Sequence, residues 1–490
     1  MTATDTAVHQ EYAPHQRIGL VLGPVVALTI LALFDPAGLP PEGTRTAALA
    51  ALMAIWWATE AAPMAVTAFL PMVLLPFMDV MPIDETAPNY AHPIIWLFFG
   101  GFVMALAIEQ SGLHRRVALQ IFRFAGMNGR SLVAGFMAAS ALISMWISNT
   151  STALMLLPIA MSVIVVIRDT IGEMSTKQRG DFETALLLGL AYGATLGGVA
   201  TLVGTPPNAF MAGFLQDNYG IEIDFRRWML VGVPVTLIML PLTWVLLTRV
   251  VFKVGFRATD NAKAQLGNLT NDIGKPTSAE KRVTALFVLL VTGWILREQI
   301  AALTGIEALS DSGVAMAIAL AAFVIPAGSK SGALVSWEDT RNLPWGVLIL
   351  FGGGLALAGA MTDSGLTEWI GKSLAPLGTI NVAILVIAAT ALVIFLTELT
   401  SNLATTATFL PVMAAVAVET GQDPLIFVIP VTLAASCAFM LPVATPPNAI
   451  VFSSGSVSIP RMMRAGVLLN LVGVCVLAVI SIYLVPAVFG

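Results

Sequence analysis

Ser148-Asn149-Thr150 interrupts an apolar run from Leu132 to Ile167, and 253 residues later Ser401-Asn402-Leu403 interrupts another. A proline follows each within the same run, Pro158 and then Pro411. Further on, each is followed by a second shared string, Thr205-Pro206-Pro207-Asn208 and Thr445-Pro446-Pro447-Asn448. Upstream, Ser111-Gly112-Leu113 matches Ser364-Gly365-Leu366, again 253 residues apart. The chain is an internal duplication, and the remaining residues read as a frame for its two copies.

The frame is apolar. Of 490 residues 57% are hydrophobic and 11% charged, where soluble domains carry about a quarter charged residues. Mean hydropathy is +0.87. Stretches of about 20 apolar residues recur along the whole length, as a polytopic all-α membrane protein in a lipid bilayer requires. Residues 1–17 read as a polar cytoplasmic tail without a cleavable-signal pattern, so Ile18–Phe34 is expected to be the first span. A net charge of −5 spread over many loops gives no nucleic-acid partner. Cys437 and Cys475 lie in apolar runs and read as small core residues.

Residues 18–252 form the first half, 253–282 a cytoplasmic connector, and 283–490 the second half. Uninterrupted spans are expected at Ile18–Phe34, Arg45–Trp57, Pro63–Met78, Ile94–Ile108, Trp228–Phe252, Val283–Leu303, Val314–Ala327, Trp345–Met361 and Ala465–Val485. Leu186–Leu215 and Ile426–Phe452 read as helices broken at 204–208 and 444–448, which brings the expectation to about eleven transmembrane helices. Ser131–Ile167 is different. As one helix its 37 residues would span roughly 55 Å, too long for a bilayer. A re-entrant hairpin with its tip at 148–150 fits better, and Ile380–Val418 repeats the design with its tip at 401–403.

Two hairpins in corresponding halves suggest an inverted repeat, and charge tests it. The amphipathic piece Leu113–Gly129 carries Arg115, Arg116 and Arg123 without an acid, whereas Leu366–Leu377 carries Glu368 and Lys372. With the first piece cytoplasmic and eleven spans, only Arg45, Arg226, Arg227, Arg297 and Lys372 of the 24 Lys and Arg fall outside. That bias agrees with inversion.

Backbone that leaves helical pairing inside a membrane costs several kcal/mol per orphan group, so it persists only where it is buried or lines a cavity. Pro206-Pro207 removes two amide donors and pushes Thr205 out of the helical region. Gly204 permits close backbone approach. Such breaks free carbonyls that can hold a cation and helix N-termini that can face an anion, and Asn208 and Asn448 can bridge the free ends. A single Ser or Pro in a membrane helix is usually a back-bonded hydroxyl or a kink; four motifs in matched order are not explained that way.

No Lys or Arg occurs in 131–167, 186–225 or 379–460. An anion at the tips meets only hydroxyls, amides and helix ends, and about half a charge per helix terminus does not offset two carboxylates. Bound cations must supply the balance. Glu398, the one charged side chain near the tips, has two open readings: a functional acid, which could carry a proton, or a hydrogen-bonded structural carboxyl. An intramembrane enzyme is remote. The four histidines lie outside the breaks, and no His-Glu-x-x-His or Gly-x-Ser-x-Gly string occurs. A passive channel fits two tips meeting near the midplane less well than a carrier does.

The two Ser-Asn motifs, Gly204-Thr205-Pro206-Pro207-Asn208 and Ala444-Thr445-Pro446-Pro447-Asn448, resemble the signature of the divalent anion/sodium symporters, the sodium–dicarboxylate and sodium–citrate cotransporters. The resemblance runs from Ile18 to Val485. It implies a homodimer in the cytoplasmic membrane whose protomers each move a transport domain past a scaffold as an elevator. It implies one sodium site at Ser144, Ser148, Asn149 and Gly204, and a second at Thr397, Thr400, Asn402 and Ala444. Substrate carboxylates are then expected at Asn149, Thr150, Ser401, Asn402, Thr445 and Pro446. The second motif departs from the family by placing Leu403 where many relatives have threonine, and Leu403→Thr is expected to shift preference between C4 and C6 acids. The reading is a sodium-coupled importer of di- or tricarboxylates, with succinate as the first expectation. An exchanger, a proton-coupled carrier, and a carrier of citrate, sulfate or another divalent anion stay open.

Overall fold

Prolines, glycines and short polar pairs punctuate the apolar runs, and the helices start and stop at them. Pro14, Pro41, Pro93, Pro206 and Pro446 open helices, where a missing amide costs no intrahelical bond. Ser175 and Thr277 close capping boxes with Gln178 and Glu280. Gly112, Gly220 and Gly305 end helices with φ of +79°, +65° and +71°, a region costly for other residues.

The computed structural model describes residues 12–124, 126, 128–170, 174–257, 259, 274–328 and 332–490. Much of the expected connector 253–282, and most of the N-terminal tail, lie outside them. Among the described residues the architecture is all-helical, and the only extended pairing is an isolated bridge between Pro326 and Ala333.

The chain opens with α1 (Pro14–Leu33) and α2 (Pro41–Thr59), then two short helices, Met64–Thr67 and Leu70–Phe77. The first copy follows: α3 (Pro93–Ser111), α4 (Leu113–Phe124), α5 (Gly129–Ser144), α6 (Asn149–Thr170), α7 (Thr176–Val199), α8 (Pro206–Tyr219) and α9 (Phe225–Val245). Next come α10 (Ser278–Ile295), α11 (Arg297–Thr304) and α12 (Asp311–Val324). The second copy repeats the order: α13 (Trp345–Asp363), α14 (Leu366–Leu374), α15 (Val382–Leu396), α16 (Asn402–Glu419), α17 (Leu425–Ala435), α18 (Pro446–Ser453) and α19 (Ile459–Val479).

Among the described residues eight helices are long and apolar enough to cross a membrane. Two of these are α6 and α16, which the sequence reading expects to be outgoing hairpin arms rather than crossings. The incoming arms α5 and α15, at 16 and 15 residues, reach about 24 and 22 Å, short of a ~30 Å core. Two expected spans are not single helices. Val283–Leu303 turns by 82° between α10 and α11, where Arg297 is drawn to Glu222, Asp224 and Asp311. Pro63–Met78 breaks after Thr67.

The two copies interlock. α6 packs on α18 of the other copy, and α16 packs on α8. Likewise α7 meets α18 and α17 meets α8. Such an exchange is what a two-fold relation between copies produces. Within the first copy, α5 and α7 approach so closely at Gly193 and Gly197 that a Cβ there would lie 2.8 Å from Met137 O and 2.2 Å from Ala141 O. Small residues at such crossings let membrane helices pack without a hydrophobic driving force.

Candidate functional site: two hairpin tips and two broken helices

α5 ends at Ser144 because Met145–Ser148 leaves the helical path before Asn149 starts α6. The buried Ser144 hydroxyl donates to Asn149 Oδ1 at 2.5 Å. Ser148 Oγ accepts from the Ser151 amide at 3.1 Å, capping the new helix. The break between α7 and α8 lies against this tip. Thr201 Oγ1 donates to Met145 O at 2.6 Å and accepts from Gly204 N at 3.0 Å. A Cβ on Gly204 would sit 2.4 Å from Gly198 O, and one on Gly198 would sit 2.5 Å from Asn149 Oδ1. Ser144, Asn149, Gly198 and Gly204 therefore form one knot of oxygens and bare backbone. Gly198 was not among the expected residues; its signal was the Gly197-Gly198 pair just before the break.

The second tip repeats the first in different atoms. Thr397 Oγ1 donates within 2.9 Å of both Asn402 Oδ1 and Ala435 O. Thr400 pairs with Thr405 rather than with the asparagine, hydroxyl to hydroxyl at 2.6 Å. Ser401 and Asn402, like Ser148 to Thr150, are half-buried. Thr445 caps α18 by accepting from Asn448 N at 3.4 Å, Ala444 is buried beside it, and Pro446 is exposed at the first turn. Leu403 differs from its counterpart Thr150: it is 4% exposed and packs in the apolar core.

The motif asparagines act as staples. Asn208 Nδ2 donates to Thr201 O at 2.8 Å, Val199 O at 3.2 Å and Gly198 O at 3.3 Å. Asn448 Nδ2 donates to Leu441 O at 3.0 Å and Ala438 O at 3.2 Å. Both reach back seven and ten residues, so each closes the same loop. Each leaves its own Oδ1 buried and without a hydrogen-bond donor among the described residues.

Glu398 resolves into a definite geometry. It is 3% exposed, and its carboxylate accepts from the amides of Phe439, Met440 and Leu441 at 2.7–3.1 Å and from Asn470 Nδ2 at 2.7 Å. Of the two readings, this geometry is that of a structural carboxyl: it holds the unwound 439–441 segment to the second tip and to α19. Tyr192 reinforces the same segment by donating from its hydroxyl to Phe439 O at 2.6 Å.

Chemically, both tips gather hard oxygen ligands, the class preferred by group-one and group-two cations. α6 and α16 begin at the tips, and α8 and α18 begin at the breaks. Each tip helix packs on the other copy's broken helix, so four helix N-termini belong to one interlocked unit, with no Lys or Arg in 131–167, 186–225 or 379–460 around them.

A family model described as the sodium:sulfate symporter transmembrane region matches residues 15–488. The sodium-dependent dicarboxylate transporter SdcS of Staphylococcus saprophyticus is 38% identical over 486 residues, covering 98% of this chain and 94% of that protein. SdcS of Staphylococcus aureus strain RF122 is 39% identical over 484 residues, covering 98% and 93%. Among solved structures, the YdaH transporter of Alcanivorax borkumensis matches 88% of this chain and 97% of its own with a TM-score of 0.57 at 13% identity, a likeness of fold alone. With its duplicated motifs matched by that model across nearly the whole length, the chain belongs to the sodium:sulfate symporter family of multi-pass membrane transporters, the sodium/divalent anion symporters.

Proposed function

We propose that the protein is a secondary active transporter that imports small dicarboxylates, succinate first among them, together with sodium. The observation that carries this reading is the pair of tips. Ser144 with Asn149, and Thr397 with Asn402, each pair a hydroxyl with an asparagine oxygen beside a broken helix, with no Lys or Arg in 131–167, 186–225 or 379–460. Relatives at 38–39% identity bear the name sodium-dependent dicarboxylate transporter. Sodium binds first, at Ser144, Ser148, Asn149 and Gly204 and at Thr397, Thr400, Asn402 and Ala444. The cations then supply the positive charge that lets Asn149, Thr150, Ser401, Asn402, Thr445 and Pro446 take the two carboxylates. The hairpins and broken helices move together against the rest of the fold as an elevator, in a homodimer. Glu398 favours sodium over proton coupling, because its oxygens already accept from three amides and Asn470.

The test is uptake of labelled succinate into proteoliposomes under an inward sodium gradient, with choline in its place as control. Accumulation that needs sodium is the expected result. Uptake that ignores sodium but requires internal succinate makes the protein an exchanger. Asn149→Ala and Asn402→Ala should each abolish sodium-driven uptake, and unchanged uptake in either removes that residue from the site.

A further inference from the structure

The duplicated amphipathic helices α4 and α14 sit differently on their hairpins. α4 packs on the incoming arm α5, whereas α14 packs on the outgoing arm α16. Between α4 and the outgoing arm α6 the seam stays open as a cavity of ≈340 Å³. His114, Arg115 and Leu119 line it from α4, and Met155, Pro158 and Ser162 from α6. The counterpart seam between α14 and α16 is a cavity of ≈310 Å³ without a charged side chain, with Leu366, Trp369 and Ile370 facing Ala407, Thr408 and Val412, and alanines of α2 along one side. Charge also differs. The duplication sets Arg115 opposite Glu368 in register, and Glu368 pairs with Lys372.

Arg115 is the cation of this cavity. It is exposed and forms no hydrogen bond or ion pair among the described residues. Its neighbour Arg116 is committed to a bidentate pair with Glu280 at 2.8 and 3.0 Å. His114 donates from Nδ1 to Ile108 O at 3.0 Å, and burial lowers its pKa, so the ring is neutral at neutral pH. α6 runs from Ser162 back to Asn149 at the tip, about 20 Å away. The three arginines of α4 put this end of the seam on the cytoplasmic side.

We propose that this cavity is a cytoplasmic anion site in which Arg115 holds one carboxylate of a small dicarboxylate passing between the first tip and the cytoplasm. The inference rests on the transport reading above. A guanidinium fork matches a carboxylate with two parallel hydrogen bonds, and the apolar wall of Leu119 and Met155 accommodates the methylenes. A single cation at an open site binds weakly enough to release its ligand, which a route requires and a terminal site does not. The extracellular seam has no such charge, so the two faces of the transporter differ in how they capture the anion.

The experiment compares succinate KM at each face, using inside-out vesicles for the cytoplasmic face and right-side-out vesicles for the extracellular one. Sodium-driven uptake by the unaltered protein at the extracellular face establishes the transport reading separately, and the Arg115 comparison is then made on that footing. Arg115→Gln should raise the cytoplasmic KM by about fivefold or more and flatten its dependence on ionic strength, with the extracellular KM as before. Arg115→Lys, which keeps the charge but not the fork, should recover part of the difference. Arg123→Gln removes a charge from the same helix outside the cavity and should leave the cytoplasmic KM in place. Equal changes at both faces, no change at either, or an equal rise with Arg123→Gln would each overturn the proposal. An effect of Arg115→Gln that vanishes in vesicles of pure phosphatidylcholine would also overturn it and assign Arg115 to an anionic lipid headgroup.

Discussion

The first and second copies reach the same break in a membrane helix by different chemistry. In the first, glycines do the work: Gly198 and Gly204 bring backbone against backbone and against Asn149, and Thr201 ties the loop to Met145 O. In the second, Ala438 and Ala444 stand at those places, and a side chain takes over. Glu398, 253 residues after Met145, gathers three loop amides that would otherwise be orphaned in an apolar surrounding. The asparagine staple is kept in both at identical offsets, as is the hydroxyl–asparagine pair at each tip. Duplication thus preserved the need to satisfy a broken backbone and left the means free. The glycine solution brings bare carbonyls to the tip; the carboxylate solution fixes the loop from behind.

The comparison can be broken most directly at Glu398. Glu398→Ala leaves the buried Phe439 amide, the half-buried Met440 and Leu441 amides and the Asn470 side chain without their acceptor, a loss of about 4 kcal/mol or more. Met145→Ala, at the matched place, should cost about 1 kcal/mol because Met145 is half-buried and its carbonyl remains. Thermal unfolding in detergent beside reconstituted uptake checks this, and equal losses would erase the difference between the copies.

Next in size is the swap of backbone contact. Gly204→Ala drives a methyl to 2.4 Å from Gly198 O, so the break must open and sodium-driven uptake should fall by about tenfold or more. Ala444→Gly opens nothing and should lower uptake by no more than about threefold. A result in the opposite order would show that close approach matters in the second copy instead.

The staples sharpen the comparison further. Asn208 shares its two N–H donors among three carbonyls and Asn448 gives one to each of two, so Asn208→Ala and Asn448→Ala should each destabilise by about 2 kcal/mol, measured as the shift in unfolding midpoint. The smallest effect is expected at Leu403. The motif comparison puts a substrate contact there, but the side chain is turned into the core. Leu403→Thr should therefore cost about 1–2 kcal/mol of stability and leave the competition profile of C4 and C6 acids unchanged. A shifted profile would restore the contact.

Much of this was legible beforehand because membranes constrain sequence hard. A polar tripeptide in an apolar run, followed by a double proline, has few physical readings once it occurs twice. The pairing of Ser144 with Asn149 and of Thr397 with Asn402 lies within five residues, so local spacing carries it. The role of Glu398 was not legible. Its partners lie 41 to 72 residues away, and an acid in a membrane helix looks the same whether it binds a proton or a loop. The bend between α10 and α11 was hidden too, because Val283–Leu303 is apolar enough to pass for one span and the acids that draw Arg297 aside are distant in sequence.

By itself, then, the sequence determined the solvent, the duplication, the places where helices break and the absence of basic side chains around them. Each follows from composition or from short spacing, through the cost of unpaired backbone in lipid. Only the tertiary structure decided which copy holds its break with glycine and which with a carboxylate. It alone turned Leu403 inward, interlocked α6 with α18 and α16 with α8, and set Arg115 in one open seam while leaving its counterpart without a charge. Those outcomes depend on contacts between elements far apart in the chain, where packing rather than local pattern sets the energy.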